Sequence, residues 1–150
     1  MHDFNIRKYT PEDKAGIMHM IRLNIPAYFA PEEVADLDHY LDHEIEQYFV
    51  ALNEADTLIG CGGINYFPEE QQARISWDII HPEWQGKGVG SRLLQHRLDV
   101  LRPDEQVNTI MVRTSQLVYP FYEKNGFRLS EIVKDYWAPG FDLYTMLYQY

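Results

Sequence analysis

The sequence predicts an α/β fold in which a mixed, mostly antiparallel central sheet is flanked by helices. Three observations support this class: a globular composition, three strand-like runs joined by polar turns, and a glycine-rich turn that leads into an amphipathic helix. The chain has 150 residues, of which 45% are hydrophobic and 24% charged, close to the averages for globular proteins. We therefore expect a single domain over residues 1–150, large enough to bury a core.

The first third of the chain predicts one strand and two helices. Residues 4–7 form the strand candidate. Thr10 can cap the first helix and Pro11 suits its first position, where a missing N–H is harmless. Apolar residues recur on one side of this helix at Ile17, Met20 and Ile21. A second helix begins the same way at Pro31, and its apolar residues are Val34, Leu37 and Leu41.

The middle of the chain has the period of strands. Residues 48–52, 58–66 and 73–80 are strand candidates. Polar turns at 53–56 and 68–71 are short, so the three strands should form an antiparallel meander.

The last third alternates helices and strands. The apolar side of the helix after the glycine-rich turn consists of Val89, Leu93, Leu94, Leu98 and Leu101. A strand at 109–113 and a short helix at 118–125 follow, and Gly126 ends that helix. Strands at 128–134 and 141–148 complete the element order β-α-α-β-β-β-α-β-α-β-β.

Charge and composition exclude several function classes. The net charge is −10 and the pI about 4.9, and no cluster of lysine or arginine provides the basic footprint of a nucleic-acid binder. No apolar run reaches membrane length, and no signal peptide is visible. The lone Cys61 allows no internal disulfide. These features predict a cytoplasmic protein that binds neither nucleic acid nor membrane.

A stretch from Ile79 to Ser91 carries the chemistry. Its glycines at 86, 88 and 90 precede a helix, and backbone N–H groups with the positive helix end suit a pyrophosphate. The spacing matches neither a P-loop nor a dinucleotide fingerprint. Glycine turns before helices are common, so a purely structural turn is the alternative.

Two motifs resemble those of the GCN5-related N-acetyltransferase family. Gln85, Gly88 and Gly90 fit the pattern Q/R-x-x-G-x-G/A, and residues 121–127 look like the family's Y-x-x-x-G-F motif. The resemblance covers nearly the whole chain. It implies an enzyme that moves the acetyl group of acetyl-CoA to a primary amine by direct transfer in a ternary complex. A non-catalytic acetyl-CoA sensor or interaction module is the alternative.

The resemblance also implies the contacts to acetyl-CoA. The backbone of Ile79 and Ile80 would pair with the pantetheine arm, and the turn would hold the pyrophosphate. The residues implied in binding are Ile79, Ile80, Gln85, Gly86, Lys87, Gly88, Val89, Gly90, Ser91, Ser115 and Lys124. No metal is expected.

Tyr122 is implied as the general acid that protonates the leaving thiolate. A thiol has a pKa near 8.5 and tyrosine one near 10, so this transfer is slightly uphill. A packing role is the alternative, because the chain contains 11 tyrosines.

The base must take a proton from an amine whose pKa is about 10.4, at a cost of roughly 4.6 kcal/mol at pH 7. Strand alternation places Arg74, Ser76, Asp78 and Ile80 on one face, and Ile75, Trp77 and Ile79 on the other. The resemblance implies that the face shared with Ile80 looks toward the acceptor, and Asp78 is the only carboxylate on that face. A solvated or salt-bridged aspartate is the alternative.

Aromatic residues are candidate walls for the acceptor. Tyr28 and Phe29 lie between the first two helices, and Tyr136 and Trp137 lie at a hairpin tip. They suit a small amine or a peptide amine, or they form a homodimer contact. The sequence does not name the amine.

Two further features have ordinary explanations. His39 and His43 have the spacing of a zinc pair but lack a third ligand pattern, so a solvated helix face is expected. Cys61 should be a small buried residue rather than a nucleophile.

Overall fold

A computed structural model describes residues 3–150, which form one seven-stranded sheet with helices on both faces. The strands are β1 (Phe4–Lys8), β2 (Gln47–Asn53), β3 (Leu58–Phe67), β4 (Gln72–Ile80), β5 (Thr109–Thr114), β6 (Phe127–Ala138) and β7 (Phe141–Tyr148). The helices are α1 (Lys14–Leu23), α2 (Glu33–His43), α3 (Val89–Leu101) and α4 (Tyr119–Lys124). This confirms the element order that the sequence predicts.

The sheet is mixed and mostly antiparallel, as predicted. Its strand order is β1-β2-β3-β4-β5-β7-β6, and only β4 and β5 run parallel. These two strands pair over a short length, from Gln72 with Thr109 to Ile75 with Val112. Beyond Ile75 their pairing ends, which leaves backbone groups of both strands facing a gap.

Two hydrophobic cores lie on the two faces of the sheet. One core contains the buried side of α3, with Leu93, Leu94 and Leu98, together with Ile75 of β4. The other contains the apolar sides of α1 and α2, together with Val50 and Ile79. Burial of both faces explains why β2 and β3 are buried along most of their length.

A β-bulge in β4 changes which side chains share a face. Gly63 pairs with Ser76 and Cys61 with Ile79, so β4 has one more residue than β3 in this interval. Trp77 takes a φ of 49°, and its carbonyl accepts a hydrogen bond from the Tyr48 hydroxyl at 2.7 Å.

The predicted alternation along β4 is therefore partly wrong. Asp78 and Ile80 do share the α3 face, and Trp77 and Ile79 share the other. Ser76, however, lies on the same face as Trp77, and Ile75 lies on the same face as Asp78. The reason is the extra residue of the bulge, which breaks the alternation between Ser76 and Asp78. The sequence contains no proline or glycine in β4 that would have indicated the bulge.

Element ends differ from the predictions by a few residues. The helix expected after Thr10 begins with a 3₁₀ turn at Pro11–Asp13, and α1 itself starts at Lys14. β6 extends to Ala138, four residues beyond the predicted end. Within residues 3–150, the helices are too short or too polar to cross a bilayer.

Candidate active site

A cleft with a volume of about 1080 Å³ lies where β4 and β5 part. The glycine-rich turn and α4 line one end of it, and the α1–α2 loop and the tip of the β6–β7 hairpin line the other. Both sequence motifs and most of the predicted acceptor walls therefore meet in one place.

The glycine-rich turn has the backbone that its composition predicts. Gly86 and Gly88 have φ values of 76° and 87°, which favour glycine, and Gly88 caps the N-terminus of α3. A Cβ built at either position would meet nothing within 4 Å, so the turn presents open space at the helix end. This space and the positive helix end fit a pyrophosphate group.

The predicted acetyl-CoA contacts fall into two groups. Those that line the cleft are Ile80, Gln85, Gly86, Gly88, Gly90, Ser91, Ser115 and Lys124. Ile79 and Val89 are buried in the two cores instead. Lys87 lies outside the lining, with its Nζ 5.2 Å from the centre of the Trp84 ring.

The backbone of β4 reaches the gap through Ile80 rather than Ile79. Ile79 pairs with Cys61 of β3, and the His81 amide donates to Ile59 of the same strand. Because successive backbone groups point to opposite edges, the amide of Ile80 faces away from β3. Its carbonyl accepts from the side-chain amides of Asn24 at 3.1 Å and Gln85 at 3.2 Å.

Gln85 and Asn24 join the turn to the first helix. The Gln85 Nε2 donates to Asn24 Oδ1 at 2.8 Å, and Asn24 itself is buried at the end of α1. Gln85 thus holds the turn against α1 with its side chain. The sequence analysis missed Asn24, whose only signal was a polar residue following the apolar run of α1.

Three buried groups form the centre of the cleft. Tyr122 of α4 donates its hydroxyl hydrogen bond to Asp78 Oδ2 at 2.5 Å. The other carboxylate oxygen lies 2.5 Å from Nη1 of Arg97 on α3. The Arg97 side chain is fully buried and that of Asp78 only 15% exposed. Asp78 is therefore salt-bridged, which is one of the alternatives that the sequence left open.

Arg97 is a second residue of the cleft that the sequence motifs do not indicate. Its Nε donates to Leu93 O at 3.0 Å and its Nη1 to Gly63 O at 3.1 Å, while Nη2 has no hydrogen-bond partner within residues 3–150. The signal was available, because position 97 follows Leu93 by four residues and so lies on the buried stripe of α3.

The Asp78–Arg97 ion pair lies directly against Gly62, where any side chain would overlap it. A methyl group at position 62 would overlap the Asp78 carboxylate and the Arg97 guanidinium. Gly62 thus marks a close approach of side chains from β4 and α3.

Burial and neighbouring charges shift the pKa values of Tyr122 and Arg97. Burial first, and then the Asp78 carboxylate, raise the pKa of Tyr122 well above its ordinary value. Burial lowers the pKa of Arg97, but the negative charge of Asp78 more than offsets this and the net direction is upward. Tyr122 is therefore a neutral hydrogen-bond donor at any physiological pH.

The end of the cleft where the acceptor walls are predicted is aromatic. The ring of Phe29 stacks on that of Trp77, with centroids 6.3 Å apart, and Tyr28 lies beside them in the lining. Trp137 lines the opposite side and donates its indole N–H to Thr114 O at 3.1 Å. Tyr136 is not part of the lining; it is half exposed and its hydroxyl accepts from Arg113.

The remaining candidate residues lie elsewhere. Cys61 is buried, as predicted, and burial raises the pKa of its thiol to about 12. His39 Nε2 lies 3.1 Å from a Glu44 carboxylate oxygen, and the rings of His39 and His43 are 4.7 Å apart. Among residues 3–150 these side chains do not form a group of three metal ligands.

Comparison with known proteins shows the family of this chain. A sequence model described as Acetyltransferase (GNAT) family matches residues 17–127. An amino-acid acetyltransferase of Actinobacillus pleuropneumoniae serotype 3 (strain JL03) is 27% identical over 132 residues, which cover 84% of this chain and 28% of that protein. The chain thus spans less than a third of the length of the curated relatives it matches.

Solved structures share the fold along the whole chain. A GCN5-related N-acetyltransferase from Kribbella flavida superposes with a TM-score of 0.77 at 18% identity, covering 98% of both chains. N-acetylglutamate synthase from Neisseria gonorrhoeae, complexed with coenzyme A and N-acetyl-glutamate, superposes with a TM-score of 0.74 at 19% identity. That match covers 99% of this chain and 35% of the synthase.

Proposed function

We propose that this chain, which belongs to the acetyltransferase (GNAT) family, transfers the acetyl group of acetyl-CoA directly to a primary amine. The observation that carries the proposal is the Tyr122–Asp78 hydrogen bond, which lies in the same cleft as the open glycine turn. The same cleft thus combines an open turn that suits a pyrophosphate with a proton donor, Tyr122, and a proton acceptor, Asp78. This combination supports the proposal.

Acetyl-CoA would be held by backbone groups at both ends of the gap. The turn at Gly86 and Gly88, with the N-terminus of α3, would take the pyrophosphate, and Lys124 lies beside the same cleft. Ile80 offers its amide at the separated edge of β4. Bound there, acetyl-CoA supplies the acetyl group and a thiolate leaving group.

Asp78 is the proposed proton acceptor for the amine. It stands as a carboxylate in its ion pair with Arg97, it lines the cleft, and it can take the proton that the amine must lose. The amine attacks in its neutral form, after the ammonium group has given one proton to solvent. Its nitrogen loses a second proton as the C–N bond forms, and sulfur must gain one proton as the C–S bond breaks.

The hydrogen bond between Asp78 and Tyr122 can connect these two protons. As the sulfur takes the Tyr122 proton, the proton that Asp78 has accepted passes to the Tyr122 oxygen. The carboxylate and the neutral phenol are both restored at the end. Such a relay avoids a free tyrosinate, which the raised pKa of Tyr122 makes unfavourable.

Arg97 has a positioning role in this scheme. It touches neither the amine nor the thioester, but it holds Asp78 by an ion pair from a fully buried site. Two hydrogen bonds to the main chain hold the guanidinium itself in place.

The first test is a thermal-shift titration with acetyl-CoA, with NAD and ATP as controls. At a hundredfold excess over the Kd, binding adds about 2.7 kcal/mol to the stability, which raises the Tm by about 5–10 °C. Free CoA released in the presence of an amine panel then measures the transfer itself. A shift without any release would favour the sensor, and no shift would refute the proposal.

A pair of variants locates the binding site. Gly88→Ala should weaken the acetyl-CoA shift, because alanine is strained at a φ of 87° and the turn would change shape. Gly140→Ala is the matched control: its φ is 83° and its Cβ also meets nothing within 4 Å, but it lies at the hairpin tip. Equal effects of the two substitutions on binding would remove the turn from the site.

A further inference from the structure

Two arginines line the cleft where β4 and β5 part. Arg74 on β4 pairs in register with Met111 on β5, and Arg113 lies two residues farther along the same strand. Since alternate residues share a face, Arg74 and Arg113 project from the same face of the sheet. Ser76 of that face is linked through Asn65 to Tyr40 of α2, so this is the face covered by α1 and α2.

Aromatic rings hold both guanidinium groups. The Arg74 Cζ lies 3.9 Å from the centre of the Phe67 ring, and its Nε donates to Gln72 Oε1 at 2.8 Å. The Arg113 Cζ lies 5.1 Å from the Tyr136 ring, and its Nη2 donates to the Tyr136 hydroxyl at 2.8 Å. Stacking of this kind orients an arginine while leaving most of its N–H donors available.

Neither arginine has an ion-pair partner among residues 3–150. The four acidic side chains in the lining have other partners. Glu33 accepts from the Ala30 amide at 2.8 Å and Glu46 from the Tyr66 amide at 3.0 Å, while Glu44 lies beside His39 and Asp78 pairs with Arg97. Burial first, and then the charge of Arg113, lower the pKa of Arg74. Two like charges thus lie close enough to affect each other without an ion pair among residues 3–150, although the charge of Glu70 also acts on Arg74. This is notable in a chain whose net charge is −10.

We propose that Arg74 and Arg113 bind a carboxylate of the acceptor, so that the substrate is a small amine that also carries a carboxylate group. The planar guanidinium fork matches a carboxylate, and two forks on neighbouring strands can hold both of its oxygens. Arg74 and Asp78 are four residues apart on β4, about 13 Å of strand. They project from opposite faces of the sheet, but both line the cleft that opens where β4 and β5 part. A short molecule that passes through this gap can therefore place its amine at Asp78 and its carboxylate at the two arginines. This inference rests on the proposed function.

The experiment compares acceptors that differ only in the carboxylate. Each of several amino acids is assayed beside its carboxamide, with a diamine as a third acceptor, at saturating acetyl-CoA. The wild-type chain should prefer the acid in kcat/KM by roughly ten- to a hundredfold, as expected for charge-assisted hydrogen bonds. A β- or γ-amino acid and an acidic dipeptide distinguish an α-carboxylate from a more distant one.

Variants identify the residues. Arg74→Met and Arg113→Met should each raise KM for the acid and remove the preference, while the amide and the KM for acetyl-CoA stay unchanged. Arg74→Lys and Arg113→Lys keep the positive charge but lose the guanidinium fork, so they should retain only part of the preference for the acid. Arg128→Met, an exposed arginine on β6 outside the cleft, is the matched control for the lost charge.

The two proposals fail in different ways. If amides and diamines are acetylated as well as acids, or if both methionine variants keep the preference, the carboxylate site is wrong and acetyl transfer stands. If no amine is acetylated, the thermal shift of the CoA-bound protein with an amino acid still tests the site directly. A shift that Arg74→Met and Arg113→Met abolish supports it, and an absent shift overturns it.

Discussion

At the scale of single residues, the main feature is the ion pair between Asp78 and Arg97, whose carboxylate accepts the hydrogen bond of Tyr122. Asp78 lies between Tyr122 and Arg97, with 2.5 Å contacts on both sides. Such a pair contributes little to stability compared with apolar packing, since both charges must be desolvated. Its position in the cleft suggests that it is retained for chemistry.

The relay predicts that Asp78→Asn and Tyr122→Phe are not additive. Each substitution should lower kcat by about a hundredfold or more, and the double variant should be no slower than the slower single one, because both interrupt one proton path. Asp78→Asn should leave acetyl-CoA binding nearly unchanged, because the residue acts in the transfer step. Multiplied effects would mean that the two residues act independently.

Folding must be checked in the same series. Asp78→Asn leaves Arg97 buried without its partner, which costs about 3–5 kcal/mol. Asp78→Asn with Arg97→Met removes both charges and should recover much of that stability without recovering activity. Tyr119→Phe, in the same helix as Tyr122 but outside the cleft, is the control for kcat.

At the scale of elements, the bulge in β4 shapes the site. It places Trp77 against Phe29 on one face and Asp78 against Arg97 on the other. The irregular pairing leaves the Trp77 carbonyl without a strand partner. The Tyr48 hydroxyl donates a hydrogen bond to this carbonyl at 2.7 Å instead.

Loss of that hydroxyl should loosen the bulge. Tyr48→Phe leaves a buried carbonyl unsatisfied, so we expect about 1–3 kcal/mol lower stability in urea unfolding and a slower kcat as Asp78 shifts. Tyr9→Phe is the control, since Tyr9 packs edge-on against Tyr48 at 5.8 Å and should change stability by less than about 0.5 kcal/mol. Unchanged stability of Tyr48→Phe would show that the bulge does not need this bond.

Local patterns predicted the elements well and the site less completely. Capping residues, strand periods and the glycine turn are short-range signals, and the order of all eleven elements follows from them. The bulge at Trp77 arises from pairing with β3, and the Asp78–Arg97 contact joins residues far apart in sequence. No local pattern specifies such contacts, so the partner of Asp78 could not be named beforehand.

At the scale of the whole molecule, the two cores bury three tyrosine hydroxyls together with their rings. Tyr40, Tyr48 and Tyr122 are each less than a tenth exposed. Burial is the first cause that raises the pKa of all three. Their hydroxyls are bonded to Asn65, Trp77 and Asp78.

Alkaline pH should therefore unfold this protein. A raised pKa in the folded state gives stability that is fully present below the unfolded value near 10 and is lost as pH rises above it. Three such tyrosines predict a loss of about 4 kcal/mol per pH unit above pH 10. Urea unfolding between pH 8 and 11 measures this slope, and Tyr48→Phe should reduce it by about a third. A flat profile would contradict the burial of these hydroxyls.

The single extra residue in β4 also constrains how the proposed activity could change its substrate. Trp77 stacks on Phe29, a predicted wall of the acceptor site, and Asp78 is the proposed proton acceptor; the two are consecutive in the chain. Any replacement at Trp77 that alters its unusual backbone would disturb the base as well. New specificities should therefore be sought at Phe29 and Trp137, which line the cleft from other elements. A selection experiment for altered acceptors would find its variants there and leave position 77 untouched.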